Sequence, residues 1–453
     1  IKIREIDFVF CVPGESYLAT MDSFYGSEKP LLVSARHEEG AGIMAEAYAK
    51  ASAKTGVCMV TRGPGLTHLS IALHTAKQDS TPLVIFVGQV PTNVRQRESF
   101  QELDIVEFTR PVAKWAVELN RADRVAELVD KAFHIANSGR PGPVVISLPE
   151  DIDRSSDAQH SVWRSSNVGS PAPSSKGIAK AVAMLEDAER PCIVAGEGVL
   201  RANATDKLIR FAECLGIPVF TAWRRFDAFP NKHPLYMGGL NLSSVSNDLS
   251  EPLKNADLII AIGTRLDEFT TLSYSSPSTE QKLIHIDQSP EETGGSWIGA
   301  DLALIADAGE AIDKLEEALK NSKRAKPSKA RQQQIADWSE HYTKRTTPRG
   351  NRNGHKDGSI DLEGVYYDIL NILTDDASIS CDAGDFGSWL IRYYKWNKPR
   401  TFFGPTTGAM GYALPAAIAA KLARPQAPAL AFAGDGGFAM TMSELETAVR
   451  LKL

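Results

Sequence analysis

The stretch Ala429-Leu430-Ala431-Phe432-Ala433-Gly434-Asp435-Gly436-Gly437-Phe438 reads as a short buried strand running into a glycine turn that holds one carboxylate. Met440 to Val449 then reads as a helix. A strand, a glycine turn and a helix N-terminus are the parts of an anion site. Glycine lets backbone come close, and the free N–H groups and the helix dipole favour negative charge. Asp435 adds a hard oxygen ligand suited to Mg²⁺. Gly434-Asp435-Gly436 is thus a candidate cradle for a metal-bound diphosphate. A plain strand–helix turn with Asp435 as its N-cap has the same pattern, so the tripeptide alone does not decide.

Working outward, the same plan recurs. Phe8–Val12, Leu31–Val33, Val57–Thr61, Leu83–Val87 and Val144–Leu148 read as apolar strands, with an Ala- and Gly-rich helix from His37 to Lys54. Arg62-Gly63-Pro64-Gly65 makes another glycine corner. A second series follows at Cys192–Ala195, Pro218–Thr221, Leu258–Ile262 and Leu283–Asp287, and a third at Ser378–Cys381 and Ala429–Ala433. Strands alternating with helices predict parallel sheets covered on both faces. Ser- and Pro-rich residues 154–176 and the polar run 320–358 read as linkers, the second with room for one helix. The expected architecture is α/β, three doubly wound parallel-sheet domains at 1–155, 175–325 and 356–453. Ile1 enters a strand almost at once, and Leu453 stops one helix past the glycine turn. Both ends read as cut and the third domain as incomplete.

The 453 residues are 43% hydrophobic and 23% charged, with a net charge of −6, which argues against a nucleic-acid binder. The richest apolar run, Ala413 to Leu422, is too short to span a bilayer. Ile1-Lys2-Ile3-Arg4-Glu5 does not resemble the start of a signal peptide. Cys11, Cys58, Cys192, Cys214 and Cys381 show no C-x-x-C spacing, which points to reduced thiols and a cytoplasmic protein. No strand is followed by Gly-x-Gly-x-x-Gly, so a nicotinamide-binding domain is a poor reading.

The ordered set Val12-Pro13-Gly14, Arg36-His37-Glu38-Glu39-Gly40-Ala41, Gly63-Pro64-Gly65, Phe100-Gln101-Glu102, Ser138-Gly139-Arg140-Pro141-Gly142-Pro143-Val144, Gly408-Ala409-Met410-Gly411-Tyr412-Ala413 and Gly434-Asp435-Gly436-Gly437 resembles the thiamine-diphosphate (ThDP) enzymes, in their acetolactate synthase-like branch. The resemblance covers nearly the whole chain. It implies a pyrimidine-binding domain, a central domain and a diphosphate-binding domain.

The resemblance also implies roles. Glu38 matches the glutamate that hydrogen-bonds the aminopyrimidine N1′ and so promotes loss of the thiazolium C2 proton. Glu39 is excluded from that role, because adjacent helical side chains point about 100° apart. Met410 matches the bulky residue on which the cofactor folds. Asp435 matches a Mg²⁺ ligand, with Gly434, Gly436 and Gly437 offering backbone to the diphosphate. Gly384, Asp385 and Phe386 resemble a second diphosphate cradle, although acetolactate synthases commonly carry histidine where Phe386 stands. Pro13, Pro64 and Gly408 complete the implied cofactor-binding set, and Gln101 matches a glutamine near the reacting centre. His68 stands where the family usually has asparagine, and reads either as a pocket acid–base group or as a polar helix residue.

Residues 89–97 lack the paired histidines of the decarboxylase branch, which favours carboligation. The implied reaction joins two 2-oxo acids with loss of CO₂, in a homodimer at minimum and by expectation a homotetramer. The rivals are an oxidase, lyase or acyltransferase on another acyl donor, and a non-catalytic paralogue. FAD, which biosynthetic acetolactate synthases hold in the central domain, is the less favoured expectation. Arg265-Leu266-Asp267-Glu268 and Ala222-Trp223-Arg224-Arg225-Phe226-Asp227 match the flavin segments poorly.

Overall fold

A computed structural model describes the chain except for residues 1–3, 156–168, 294–296, 321, 323–326 and 350–358. Much of the two predicted linkers lies outside the described residues. The described part of the second carries the helix Lys329–Thr346.

The described residues contain three sheets. In the first, β1 (Phe8–Cys11), β2 (Leu31–Ser34), β3 (Gly56–Thr61), β4 (Leu83–Gln89), β5 (Trp115–Glu118) and β6 (Pro143–Pro149) run in the order β2-β1-β3-β4-β6-β5. In the second, β7 (Pro191–Ala195), β8 (Val219–Thr221), β9 (Tyr236–Gly239), β10 (Leu258–Ile262), β11 (Lys282–Asp287) and β12 (Leu302–Ile305) run β12-β11-β10-β7-β8-β9. The third orders β13 (Ser378–Cys381), β14 (Phe402–Phe403) and β15 (Ala429–Phe432) as β14-β13-β15. The pairings within the two large sheets are parallel. β4 and β6 are buried at every residue and pair without interruption from Leu83↔Pro143 to Gln89↔Pro149, as continuous apolar runs in a covered sheet should.

Four strands were not foreseen: β5, β9, β12 and β14. Each is an edge strand. β5 is only half-buried throughout and β12 is largely exposed, so neither needs the apolar run that marks a central strand. The opening stretch needs two corrections. β15 is also an edge strand, and Ala431 is exposed, so the expected buried strand is only partly buried. The helix begins at Asp435, with Gly434 as its N-cap, and is two helices, Asp435–Thr441 and Glu444–Arg450. The glycines therefore form the first helical turn and not a loop before it.

The chain divides into two compact units. Among the described residues, one holds 4–155, Ser378–Gly384 and Phe403–Leu453, and the other holds 169–377 and Asp385–Phe402. In the first, α1 (Glu38–Ser52), α2 (Arg62–Asp79), α3 (Ala413–Ala423), α4 (Asp435–Thr441) and α5 (Glu444–Arg450) matter most for the site. Ala41, Ala45, Ala416, Ala419 and Ala420 are buried in one core, where small side chains let α1 and α3 approach. A buried polar network ties them. Tyr412 donates to Glu46 Oε2 at 2.7 Å, Thr81 donates to Glu46 Oε1 at 2.6 Å, and Lys50 bridges Glu46 at 2.8 Å and Asp79.

In the second unit, the segment that departs from the flavin pattern is an aromatic corner. Trp223 stacks on Phe269 with centroids 4.4 Å apart, and Phe226 stacks on Trp396 at 5.4 Å. The buried Asp227 carboxylate accepts the N–H groups of Thr401 at 2.9 Å and Phe402 at 3.2 Å. Gly196 and Gly263, which end β7 and β10, close on each other. A Cβ on Gly196 would lie 2.4 Å from the Gly263 carbonyl oxygen.

Candidate active site

In the first sheet the chain goes from β1 outward to β2 and then returns across β1 to β3. Loops leaving the carboxyl ends of strands at such a reversal open a crevice. Pro13 follows β1, Glu38 follows β2 and Pro64 follows β3. Gln101 is drawn to the same edge by its backbone, because the Gly63 N–H donates to its carbonyl oxygen at 3.0 Å. Strand order thus gathers Pro13, Glu38 and Pro64, and one backbone hydrogen bond adds Gln101.

Glu38 opens α1. The N-cap is His37, whose Nδ1 accepts the Glu39 N–H at 3.2 Å, so that nitrogen is unprotonated. The Glu38 side chain is 12% exposed, and its Oε2 lies 2.9 Å from His68 Nδ1, on α2. His68 stacks on His37 with centroids 4.7 Å apart. The phenol of Tyr17 and the thiol of Cys58 are both pushed up, first by burial and then by the negative charge near them, including Glu38. Glu39 turns elsewhere, as the helical angle requires. Its carboxyl is raised by burial and by the Asp382 charge, and its Oε1 lies 3.1 Å from where a Cβ on Gly411 would be.

Two carboxylates the sequence reading passed over set this geometry. The fully buried Glu444 accepts the N–H groups of Arg36 at 3.0 Å and His37 at 3.1 Å, pinning the corner from which Glu38 projects. The buried Asp382 accepts from Gly411 at 3.1 Å and Ala413 at 2.5 Å, and so fixes the loop that carries Met410. Met410 stands 43% exposed between Gly408 (φ +70°) and Gly411 (φ +80°), left-handed positions natural to glycine. Gly437 meets the same aspartate, since a Cβ there would lie 2.1 Å from Asp382 Oδ2. Met410 Cε lies 3.3 Å from the Cβ position of Gly436. Asp382 thereby joins Met410 to the glycine turn. A buried aspartate just past a strand was the available signal. For Glu444, only its place one helix beyond Asp435 offered a clue.

Asp435 is exposed, the first residue of α4, and its Oδ1 accepts the Gly436 N–H at 2.9 Å. It is not the N-cap. Gly384 ends the β13 segment of the first unit, whereas Asp385 and Phe386 belong to the second. There Phe386 starts the helix Phe386–Tyr393, and its carbonyl accepts from the Tyr366 hydroxyl at 3.4 Å.

His37, Glu38 and His68 each bring one donor atom within 4.8 Å of the others. The Nδ1 lone pair of His37 is committed to the helix cap. Of the three, Glu38 and His68 are hydrogen-bonded, and His37 joins them by stacking on His68.

These elements match three models of one family. The thiamine pyrophosphate (TPP) enzyme N-terminal TPP-binding domain matches residues 1–108, the central domain 178–315, and the C-terminal TPP-binding domain 382–453. The chain belongs to the thiamine pyrophosphate enzymes. Within that family it is similar to acetolactate synthases. It is 34% identical over 452 residues to the acetolactate synthase large subunit of Corynebacterium glutamicum, covering 98% of this chain and 70% of the relative. It is 33% identical to the acetolactate synthase of Mycobacterium leprae, at 98% and 71% coverage. A solved structure from Mycobacterium smegmatis, described as a thiamin diphosphate-dependent enzyme, shares the fold with a TM-score of 0.82 at 24% identity, covering 100% of this chain and 84% of that one. The protein is therefore a ThDP-dependent enzyme of acetolactate synthase-like kind, and no helix among the described residues is long and apolar enough to cross a membrane.

Proposed function

We propose that this enzyme is a ThDP- and Mg²⁺-dependent 2-oxo acid carboligase, which releases CO₂ from pyruvate and transfers the remaining two-carbon unit to a second 2-oxo acid. The observation that carries the reading is Glu38. It is a sheltered carboxylate at a helix start, with Oε2 held by His68. Among the described residues nothing hydrogen-bonds its Oε1, which is left for the pyrimidine nitrogen.

The residues suit the cofactor. Asp435 offers an exposed hard oxygen where α4 begins without a side-chain cap, and the apolar Met410 stands exposed beside the glycine turn. ThDP supplies, when bound, the carbanion chemistry that no side chain provides. The protein's share is acid–base control and placement. Glu38 would accept a hydrogen bond from the pyrimidine N1′ at its Oε1, Met410 would prop the ring system, and Asp435 would give one oxygen to Mg²⁺. Pro13, Pro64, Gly384, Asp385, Phe386, Gly408, Gly434, Gly436 and Gly437 supply contacts to the cofactor, and Gln101 faces the reacting centre.

We place Glu38 of one chain opposite the Asp435 cradle of another, in a homodimer or a tetramer of such dimers. In support, it is Glu39 that turns toward Gly411 of its own chain, while Glu38 turns to His68. Flavin is not part of the proposal, because Arg265-Leu266-Asp267-Glu268 and Ala222-Trp223-Arg224-Arg225-Phe226-Asp227 match the flavin segments poorly.

The test is to incubate the full-length protein with ThDP, Mg²⁺ and pyruvate and to assay acetoin after acid treatment. Acetoin in proportion to CO₂ is expected. CO₂ or acyl transfer to another acceptor without acetoin would favour the lyase or acyltransferase reading, which His68 in the usual asparagine position keeps in view.

A further inference from the structure

We propose that His68 is a positioning residue that sets the basicity of Glu38, and through it the pH range in which the cofactor is activated. The inference rests on the assignment of Glu38 above. Four observations carry it. α1 and α2 come close because Gly42 faces α2, and a Cβ on it would lie 2.6 Å from Ala72 Cβ. That approach puts His68 Nδ1 2.9 Å from Glu38 Oε2. The His68 ring is held in plane by stacking on His37, whose own ring is fixed by the Glu39 N–H. Finally, only one Glu38 oxygen is taken among the described residues, so the hydrogen bond constrains the carboxylate without closing it.

A carboxylate beside an imidazole meets two different partners in two protonation states. Neutral His68 donates one ordinary Nδ1–H bond and leaves Glu38 a good proton acceptor at Oε1. Imidazolium adds a positive charge at hydrogen-bond distance, stabilises the bare carboxylate, and makes Oε1 a poorer acceptor. An asparagine in the same place gives a donor with no charge to gain. Few other groups facing Glu38 titrate in the same window. Tyr17 and Cys58 lie behind it, and burial keeps both neutral. Glu39 faces Gly411, Glu444 binds the Arg36 and His37 amides, and Arg36 pairs with Glu446 at 3.6 Å. Among the described residues facing this cluster His37 is the other imidazole, and its Nδ1 is held by the cap.

The test uses the full-length protein with ThDP and Mg²⁺ and two readouts: exchange of the thiazolium C2 proton with deuterium, and ThDP affinity by titration calorimetry. Both are measured from pH 5.5 to 8, across the window in which imidazole titrates. We expect wild-type exchange to fall at least about fivefold toward the acid end. In His68→Asn the fall should shrink to about twofold or less, with pH 8 exchange and affinity within about twofold of wild type. In His68→Ala, which keeps no donor, exchange at pH 8 should drop about tenfold. Superimposable pH profiles for wild type and His68→Asn would overturn the inference. Glu38→Gln separates this failure from that of the underlying assignment: near-normal exchange in Glu38→Gln would remove Glu38 itself, whatever His68 does.

Discussion

Glu38 and Glu39 are chemically identical neighbours, and the fold gives them opposite surroundings. Glu38 meets an imidazole, while Glu39 is partly buried near the like charge of Asp382. A carboxyl whose folded pKa lies above its unfolded value loses stability as pH rises through the folded value. It loses none below the unfolded value. Glu39→Gln should therefore raise the melting temperature at pH 8 by about 2–4 °C, with the gain shrinking toward pH 5. Equal melting temperatures at pH 8 would show that the burial and charge at Glu39 carry no net cost. At this scale the sequence was partly legible. The choice of Glu38 over Glu39 came from the helical angle and the motif, and the structure gives the two residues the separate faces that angle demands. Glu444 and Asp382 were not legible as supports. What marks them is burial against backbone N–H groups of distant segments, and one chain's letters do not display it.

At the scale of elements, α1 and α3 are joined by small residues and one charged network. Glu46 and Lys50 are both well buried, and removing Glu46 leaves Lys50 paired with Asp79 but takes the acceptor from the Tyr412 and Thr81 hydroxyls. Glu46→Ala should cost about 3–5 kcal/mol in urea unfolding, and Tyr412→Phe, which deletes the hydroxyl that donates to Glu46 and accepts from Lys50, about 1.5–3 kcal/mol. The double variant should cost less than the sum, since both act on one network. Strict additivity would mean that the two groups do not share it. Central strands were readable because a covered parallel strand must be apolar throughout, as Leu83–Gln89 and Pro143–Pro149 are. Trp115–Glu118 and Leu302–Ile305 sit at sheet edges, escape that demand, and so left little pattern to read. The break between Thr441 and Glu444 had no proline or glycine to announce it.

For the whole molecule, the proposal that Glu38 and Asp435 of different chains share a site makes a sharp demand on assembly. Chains carrying Glu38→Gln and chains carrying Asp435→Ala are each expected to be inactive. Unfolded together and reassembled in equal amounts, they should regain about a quarter of wild-type activity, because half the dimers are mixed and each mixed dimer holds one intact site. No recovery would place both residues in the same chain's site. The central claim is narrower: Glu38 is the acid–base partner of a bound ThDP. It is tested most directly by measuring ThDP binding and acetolactate formation together in Glu38→Gln. The account predicts retained ThDP binding with turnover abolished. Near-normal acetolactate output from that variant would contradict it.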